Sequence, residues 1–331
     1  MTDKTQAVQT SESTAKPSLG ISACLVGQKV RFDGGHKRSA FCLDMLSEHV
    51  KFQSFCPEVA IGLSVPRPTI RLIEHQSDDN KQLIALSQPD GSGDVTEKMT
   101  HYAEQVASSI DHLSGFVFTA KSPSCGMERV KVYQPNSNYN RNDGIGLFAQ
   151  AVMQHNPNLP CEENGRLNDQ QLRENFVLRI FAYHQWQQLE ASGLTRHKLY
   201  QFQAKYKYLL MSHCGSGYAK LGKLLAQSEQ PIELIAQQYI RLFMQALSQL
   251  ATRKTHTNTL QHLQGYFSKM LNKRQKTELT AQIMAYRQGI VPLFAPLTLI
   301  KHYLNEFENQ YLNLQVYFNP YPQSLKLRYS L

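Results

Sequence analysis

The stretch LGISACLVG, residues 19–27, is an apolar run of strand length that stops at a glycine. Two further runs repeat its form, VKFQSFCPEVAIGL at 50–63 and SGFVFTAKSPSCG at 114–126. Each ends in a turn rich in Gly, Pro or Ser, and each carries a cysteine (Cys24, Cys56 or Cys125) at or just past the strand's end. Between the last two runs, DVTEKMTHYAEQVASSIDHL (94–113) places Met99, Tyr102, Val106 and Ile110 at helical spacing, with Asp94 or Thr96 available as a cap. The preceding SQPDGSGD, 87–94, has loop composition. Strands alternating with helices imply an α/β domain with a mainly parallel sheet.

Outward from this region the pattern changes. Residues 154–170 (QHNPNLPCEENGRLNDQ) are rich in Asn, Pro and Gly and mark a boundary. Beyond it Leu199, Phe202, Tyr206 and Leu209 step by three and four, as do Ile235, Tyr239, Leu242, Phe243 and Leu247, and then Leu260, Leu263, Phe267 and Leu271. A last helix is expected after Pro296. This half reads as an all-α bundle. The expected organisation is a polar tail over 1–17, an α/β domain over 18–160 and an all-α domain over 167–331.

The 331 residues suffice for two domains, and 41% hydrophobic with 18% charged side chains is a globular composition. No apolar run reaches the length of a membrane span. The first 17 residues lack the apolar stretch of a signal peptide, which makes the cytoplasm the expected compartment and free thiols the expected state of the six cysteines. The net charge of +9 is unevenly placed. Residues 1–166 carry 16 basic and 18 acidic side chains, and residues 167–331 carry 19 and 8, so the second half alone stands at +11. Such a half attracts polyanions, and RNA is the expected partner, with a merely soluble basic domain as the alternative. Lys198, Lys205 and Tyr208 on one helix edge, with Lys220 and Lys223, are the candidate RNA contacts.

In a parallel sheet the C-terminal strand ends share one edge, where ligands gather, so Cys24, Cys56 and Cys125 can meet although 32 and 69 positions separate them. Converging thiols in a reducing compartment suggest a metal. A structural zinc site favours close C-x-x-C pairs, and none occurs here. A [4Fe-4S] cluster on three cysteines would leave one iron open as a Lewis acid. Buried cysteines acting as small hydrophobes are the alternative. Cys42, in the amphipathic SAFCLDMLSEH, reads as core, Cys161 as linker and Cys214 as the residue after a helix.

SACLVGQKVRFDGGHK (22–37), Cys56-Pro57-Glu58, GLSVPRPTIRL (62–72) and KSPSCG (121–126) together resemble the thiouracil desulfidase family (TudS) over roughly residues 18–160. KLYQFQAKYKYLLMSH, NTLQHLQGYFSKML and YRQGIVPLFAPLTLIKHYL resemble the helical domain fused to it in two-domain tRNA 4-thiouridine desulfidases (RudS). The resemblance implies a [4Fe-4S] cluster on Cys24, Cys56 and Cys125, with Glu58 and Ser122 in catalysis and Ser124 a close competitor of Ser122. It further implies a non-redox conversion of 4-thiouridine in tRNA to uridine. Glu58 also suits a plain helix N-terminal carboxylate behind Pro57. Arg67 and Arg71 suit either a substrate contact or an ion pair with Glu58 or Asp33. Two other functions stay open: a desulfidase of free thiouracil, and a non-enzymatic iron–sulfur RNA-binding sensor. The oligomeric state is open too.

Overall fold

A computed structural model describes residues 15–76, 82–89, 93–135, 137–227 and 229–329; most of the polar tail and the centre of the 87–94 loop lie outside these. The first half is built on β1 (Ser18–Ser22), β2 (Lys51–Phe55), α1 (Pro57–Ala60), β3 (Arg71–Gln76), β4 (Gln82–Ser87), α2 (Thr96–Ala107), β5 (Gly115–Phe118), β6 (Val130–Tyr133), β7 (Asn140–Gly144), α3 (Leu147–His155) and β8 (Cys161–Glu163). Among the described residues these strands form two four-stranded sheets. The first, ordered β2-β1-β5-β8, is parallel throughout, as expected for the α/β half. The second, β4-β3-β6-β7, joins β3 to β6 in parallel and flanks them with antiparallel β4 and β7.

The parallel sheet is covered on both faces, which explains why its central strands read as continuous apolar runs. On one face Phe116 and Phe118 of β5 pack with Met99, Ala103 and Val106 of α2 and Phe148 of α3. On the other, Leu19 and Ile21 of β1 and Val117 of β5 share a core with the helical half. The alternation of Phe116, Val117 and Phe118 between the faces is the two-residue period of a strand. Gly20 is required beneath Phe116, since a Cβ there would fall 2.3 Å from the ring. Just before α2, whose N-cap residue is Val95, Asp94 Oδ1 accepts from the Thr96 amide (2.8 Å) and the Thr96 hydroxyl (2.6 Å).

The second half is helical as expected, from α4 (Gln170–Ala191) through α5 (Arg196–His213), α6 (Gly215–Leu225), α7 (Ile232–Ser248), α8 (Arg253–Tyr266), α9 (Lys273–Gln288), α10 (Phe294–Glu306) and α11 (Gln310–Asn313). The apolar positions of the periodic stretches are buried: Leu199, Phe202, Tyr206 and Leu209 on α5, and Ile235, Tyr239, Phe243 and Leu247 on α7. A cluster of Trp186, Phe202, Tyr239 and Phe243 ties α4, α5 and α7 together, with Trp186 and Tyr239 stacked at 5.5 Å. The last long helix begins at Phe294, before the expected start. Pro296 falls in its first turn, where a missing amide proton removes no helical hydrogen bond.

One expectation changes. The segment 154–170 is no simple linker: it holds the end of α3 and all of β8, which adds Cys161 to the edge of the parallel sheet. The 22-residue α4 follows, capped by Asp169, whose side chain accepts from the amides of Gln171 and Leu172. Its Phe176 and Ile180 belong to the core that also holds Leu19, Ile21 and Val117. Gly115 lets Ile180 approach, since a Cβ there would lie 2.9 Å from Ile180 Cγ1. The helical half is thus the second cover of the sheet. Ile180→Ala is expected to lower the stability of the whole chain by about 2–5 kcal/mol. Denaturant titration should show one shifted transition; two transitions, only one of them moved, would contradict a shared core.

Candidate functional site

The C-terminal edge of the parallel sheet opens into a cavity of about 320 Å³ whose walls include Cys24, Cys56 and Cys125 together with Glu58, Arg67 and Ser122. Cys24 stands in the turn just after β1, Cys56 lies between the end of β2 and Pro57 at the start of α1, and Cys125 lies in the turn after β5. Strand ends widely separated in sequence are therefore brought to one place by parallel pairing of β1 with β2 and β5. The turn carrying Cys125 is closed by the Gly126 amide donating to the Ser122 carbonyl (2.7 Å). Gly126 is needed there, because a Cβ would sit 2.7 Å from that same carbonyl oxygen. Ser122 Oγ accepts from the Cys125 amide at 3.1 Å and so shapes the loop that presents the thiol.

Cys24 and Cys125 are buried and Cys56 is partly so. The Cys24 Sγ lies 3.0 Å from Thr119 Oγ1, and the Cys56 Sγ is 3.9 Å from the Val30 carbonyl oxygen. Burial pushes the Cys125 thiol well above its ordinary range, and the negative charge of Glu58 adds to this. Burial likewise raises Cys56. Each of these two thiols is also opposed by charge on Cys24, and Cys125 by charge on Cys56 as well. A positively charged group among them removes that conflict, because metal coordination deprotonates a thiol outright.

The donor set fits an iron–sulfur cluster. It consists of three soft sulfur ligands spread over the wall of one cavity, with a serine and a carboxylate between them. Among the described residues no three His, Cys, Asp or Glu side chains come close enough to hold a single ion. Cys42, Cys161 and Cys214 lie elsewhere. Cys42 is fully buried core, its thiol raised by burial to about 11. Cys161 is on β8, and Cys214 caps α6 by accepting from the Gly217 amide.

Glu58 is the hub of the polar wall. Arg67 donates to its Oε2 from Nε (2.9 Å) and Nη2 (2.5 Å), and Ser124 Oγ donates to its Oε1 (2.5 Å). The pair is sheltered, with side-chain exposures of 4% for Arg67 and 15% for Glu58. Arg67 also reaches the Val30 carbonyl (2.9 Å), which ties it to the loop after Cys24. Because Ser124 gives its proton to Glu58, its oxygen is left to accept from Ser122 Oγ, 3.3 Å away. Ser122 lines the cavity while Ser124 is fully buried behind it. Both candidate serines therefore belong to one chain of hydroxyls leading to Glu58. The sequence leaves Arg67 open between substrate contact and ion pair; in the structure it pairs with Glu58. Thr119 was not foreseen, and nothing in its local pattern distinguishes it.

The candidate RNA contacts divide. Lys205, Lys220 and Lys223 are exposed. Lys198 is engaged: its Nζ donates to the carbonyls of Ser192 (2.6 Å) and Gly193 (2.8 Å), closing the end of α4. Tyr208 is not a surface ring. It is 2% exposed, with its hydroxyl bonded to that of Tyr266 (3.0 Å), so it cannot stack on a base; its helical phase turns it inward beside Leu209. Among the described residues no helix is long and apolar enough to cross a membrane.

Truncating the ion pair tests the hub. Arg67→Met leaves a sheltered carboxylate without its partner and is expected to cost about 3–5 kcal/mol. Adding Glu58→Gln to that variant should recover part of the loss in a denaturant titration, whereas purely additive losses would show that the two side chains are not coupled.

Two family models match separate parts of the chain. Residues 19–164 match the 2-thiouracil desulfurase family, and residues 207–322 match a domain family of unknown function, DUF1722. The Escherichia coli K12 protein YbgA, itself uncharacterized, is 36% identical over 166 residues, which is 50% of this chain and 98% of YbgA. A solved structure titled as a [4Fe-4S]-dependent thiouracil desulfidase, TudS, is 28% identical over 46% of this chain and 94% of its own, with a TM-score of 0.37. The chain thus belongs to the YbgA family, with a 2-thiouracil desulfurase domain preceding its DUF1722 domain.

Proposed function

We propose that this chain is a [4Fe-4S]-dependent desulfidase that removes sulfur from 4-thiouridine in tRNA, giving uridine and sulfide. The observation that carries the reading is the presence in one cavity of three cysteines and a carboxylate held by Arg67 and Ser124. The match of residues 19–164 to the 2-thiouracil desulfurase family supports the reaction class. Cys24, Cys56 and Cys125 would hold the cluster, which when bound supplies an iron free of protein ligands as a Lewis acid toward a thiocarbonyl sulfur.

The protein's own residues then have distinct tasks. Glu58 is the general base that takes a proton from water as the water oxygen adds to the ring carbon bearing sulfur. Arg67 and Ser124 each occupy only part of the carboxylate's acceptor capacity, so Oε1 keeps room for that water. Arg67 fixes the orientation of Glu58. Ser122, on the cavity wall, hydrogen-bonds the base and exchanges protons with Glu58 through Ser124. Oxygen replaces sulfur, which leaves as sulfide, and no net electron transfer occurs.

The charge asymmetry supports RNA as the carrier of the base. The helical half, with its excess of 11 cations and its exposed Lys205, Lys220 and Lys223, offers a surface for the phosphate backbone. A free thiouracil is the second reading, favoured by the name of the matched family. The anaerobically purified protein, incubated separately with thiolated bulk tRNA and with free thiouracils, decides between them by released sulfide and by the remaining modified nucleoside. Sulfur loss from tRNA alone supports the proposal. Loss from free base alone selects the second reading, and loss from neither removes both. Cys56→Ser is expected to abolish the activity and Cys42→Ser to retain it. Glu58→Gln should lower kcat by about 10²–10⁴-fold, the usual share of a general base.

A further inference from the structure

A separate cavity of about 450 Å³ opens in the helical half. Its walls include Glu174 of α4, His213 at the end of α5, Arg253 and His256 in the first turns of α8, and Arg328 near the chain end. None of these side chains lines the thiol cavity. Two imidazoles in one cavity suggest a metal ion. Two guanidiniums share the same walls and would repel it. Among the described residues there is also no group of three His, Cys, Asp or Glu side chains that could hold such an ion. The lining favours an anion instead.

The hydrogen bonds fix what each group offers. His213 Nδ1 faces the Gln249 carbonyl oxygen at 2.6 Å, so Nδ1 carries the proton and donates, and Nε2 is left as an acceptor. Tyr317 is fully buried, and its hydroxyl meets His256 Nδ1 at 2.9 Å. The hydroxyl donates there, so His256 keeps its proton on Nε2 and is a donor. Neither Nε2 has a protein partner among the described residues. Arg328 is sheltered, with its side chain 8% exposed. Its Nε donates to Glu174 Oε1 (3.0 Å) and its Nη1 to the Tyr317 carbonyl (2.6 Å), which leaves further N–H groups. Arg253 has no carboxylate partner among the described residues. It donates to the Tyr286 carbonyl (3.1 Å) and lies over the Tyr286 ring, 5.3 Å from its centroid, which holds the guanidinium in place. Burial holds both imidazoles below their ordinary range and so neutral at pH 7. Two guanidiniums against one carboxylate leave the cavity positive, and the N-terminal end of α8 adds to this.

We infer that this cavity binds a phosphate that keeps a hydroxyl, either the free ion or a terminal monoester, with Arg253, Arg328 and His256 Nε2 as donors and His213 Nε2 as the acceptor of the phosphate O–H. Donors alone would suit any oxyanion. The acceptor narrows the choice, because phosphate retains a proton at pH 7 and sulfate does not. Glu174, on the same wall, disfavours a ligand without that proton. A phosphate within an RNA strand has no hydroxyl and would have to enter and leave a closed pocket, so the site is not one for the nucleic-acid backbone. The inference is independent of the desulfidase reading and gives the helical half a small-ligand site of its own.

Calorimetric titration of the full chain with sodium phosphate and with sodium sulfate, both at pH 7 in chloride of matched ionic strength, tests the site without any turnover. Phosphate is expected to bind about ten- to hundredfold more tightly than sulfate, which leaves the buried acceptor unpaired. Arg253→Gln should weaken phosphate by about ten- to hundredfold, the range of a charge-assisted hydrogen bond, with its fold checked by circular dichroism. Lys276→Gln removes an exposed charge from the same half without touching the cavity and should leave the affinity unchanged. Absence of phosphate binding, equal affinity for sulfate, or full affinity in Arg253→Gln would each overturn the inference. The first two readings use the native chain alone, so they stand even where the variant does not fold. Competition with a 5′-phosphorylated RNA and its 5′-hydroxyl counterpart separates the two sources. Displacement of phosphate by the phosphorylated strand alone assigns the site to a chain end, and displacement by neither assigns it to the free ion. Equal displacement by both would mean that the cavity reads the backbone, and would contradict the proposal.

Discussion

Thiolates that face one another across a poorly hydrated cavity cannot all carry charge unless a cation lies among them. That constraint governs the sulfur edge of this protein. Cys125 and Cys56 are pushed toward the neutral thiol by burial, and each is opposed further by Cys24; for Cys125, the charge of Glu58 is the larger of these opposing effects. Such an arrangement is unfavourable as bare protein and favourable around an iron–sulfur core. The fold supplies what the arrangement needs: a parallel sheet, packed between two apolar cores, whose strand ends deliver three distant residues to one edge.

The second consequence concerns Glu58. A carboxylate beside thiols would ordinarily worsen the electrostatics, yet here it is held by a sheltered guanidinium and a buried hydroxyl. Arg67 reaches it from the loop before β3, Ser124 from the loop after β5, and Glu58 itself starts α1. Two loops and the helix α1 are thereby clamped together round the cavity by one side chain. The helix N-terminal role that Pro57-Glu58 suggests is compatible with this, since α1 is a single turn and most of the carboxylate's bonding lies elsewhere. The proposed catalytic positioning of Glu58 and the local stability rest on the same contacts.

Much of this was legible in the sequence, for physical reasons. Strands β1, β2 and β5 stand out because buried parallel strands are continuous apolar runs, and their cysteines stand out because each follows such a run. Helices α5 and α7 show through their one-sided stripes. The longest helix, α4, did not. It is pressed between sheet and bundle, so Phe176, Val177, Leu178, Ile180 and Trp186 are buried on more than one side and no single face repeats. Strand β8 is three residues long, too short to carry a period, and was absorbed into the boundary segment. Tyr208 illustrates the reverse error. Its proximity in sequence to lysines suggests a surface, while its phase on α5 places it in the core. Contacts made by hydroxyls, such as Thr119 to Cys24 and Ser124 to Glu58, depend on loop geometry that no periodicity encodes.

The most direct measurement of the central claim is the iron and acid-labile sulfide content of the anaerobically reconstituted full chain, compared between two triple variants. Replacing Cys42, Cys161 and Cys214 by serine should leave about four irons and four sulfides per chain, the content of one cubane. Replacing Cys24, Cys56 and Cys125 should leave essentially none, with the fold confirmed by circular dichroism. Retention of the cluster in the second variant, or its loss in the first alone, would contradict the convergence of those three thiols on one cofactor.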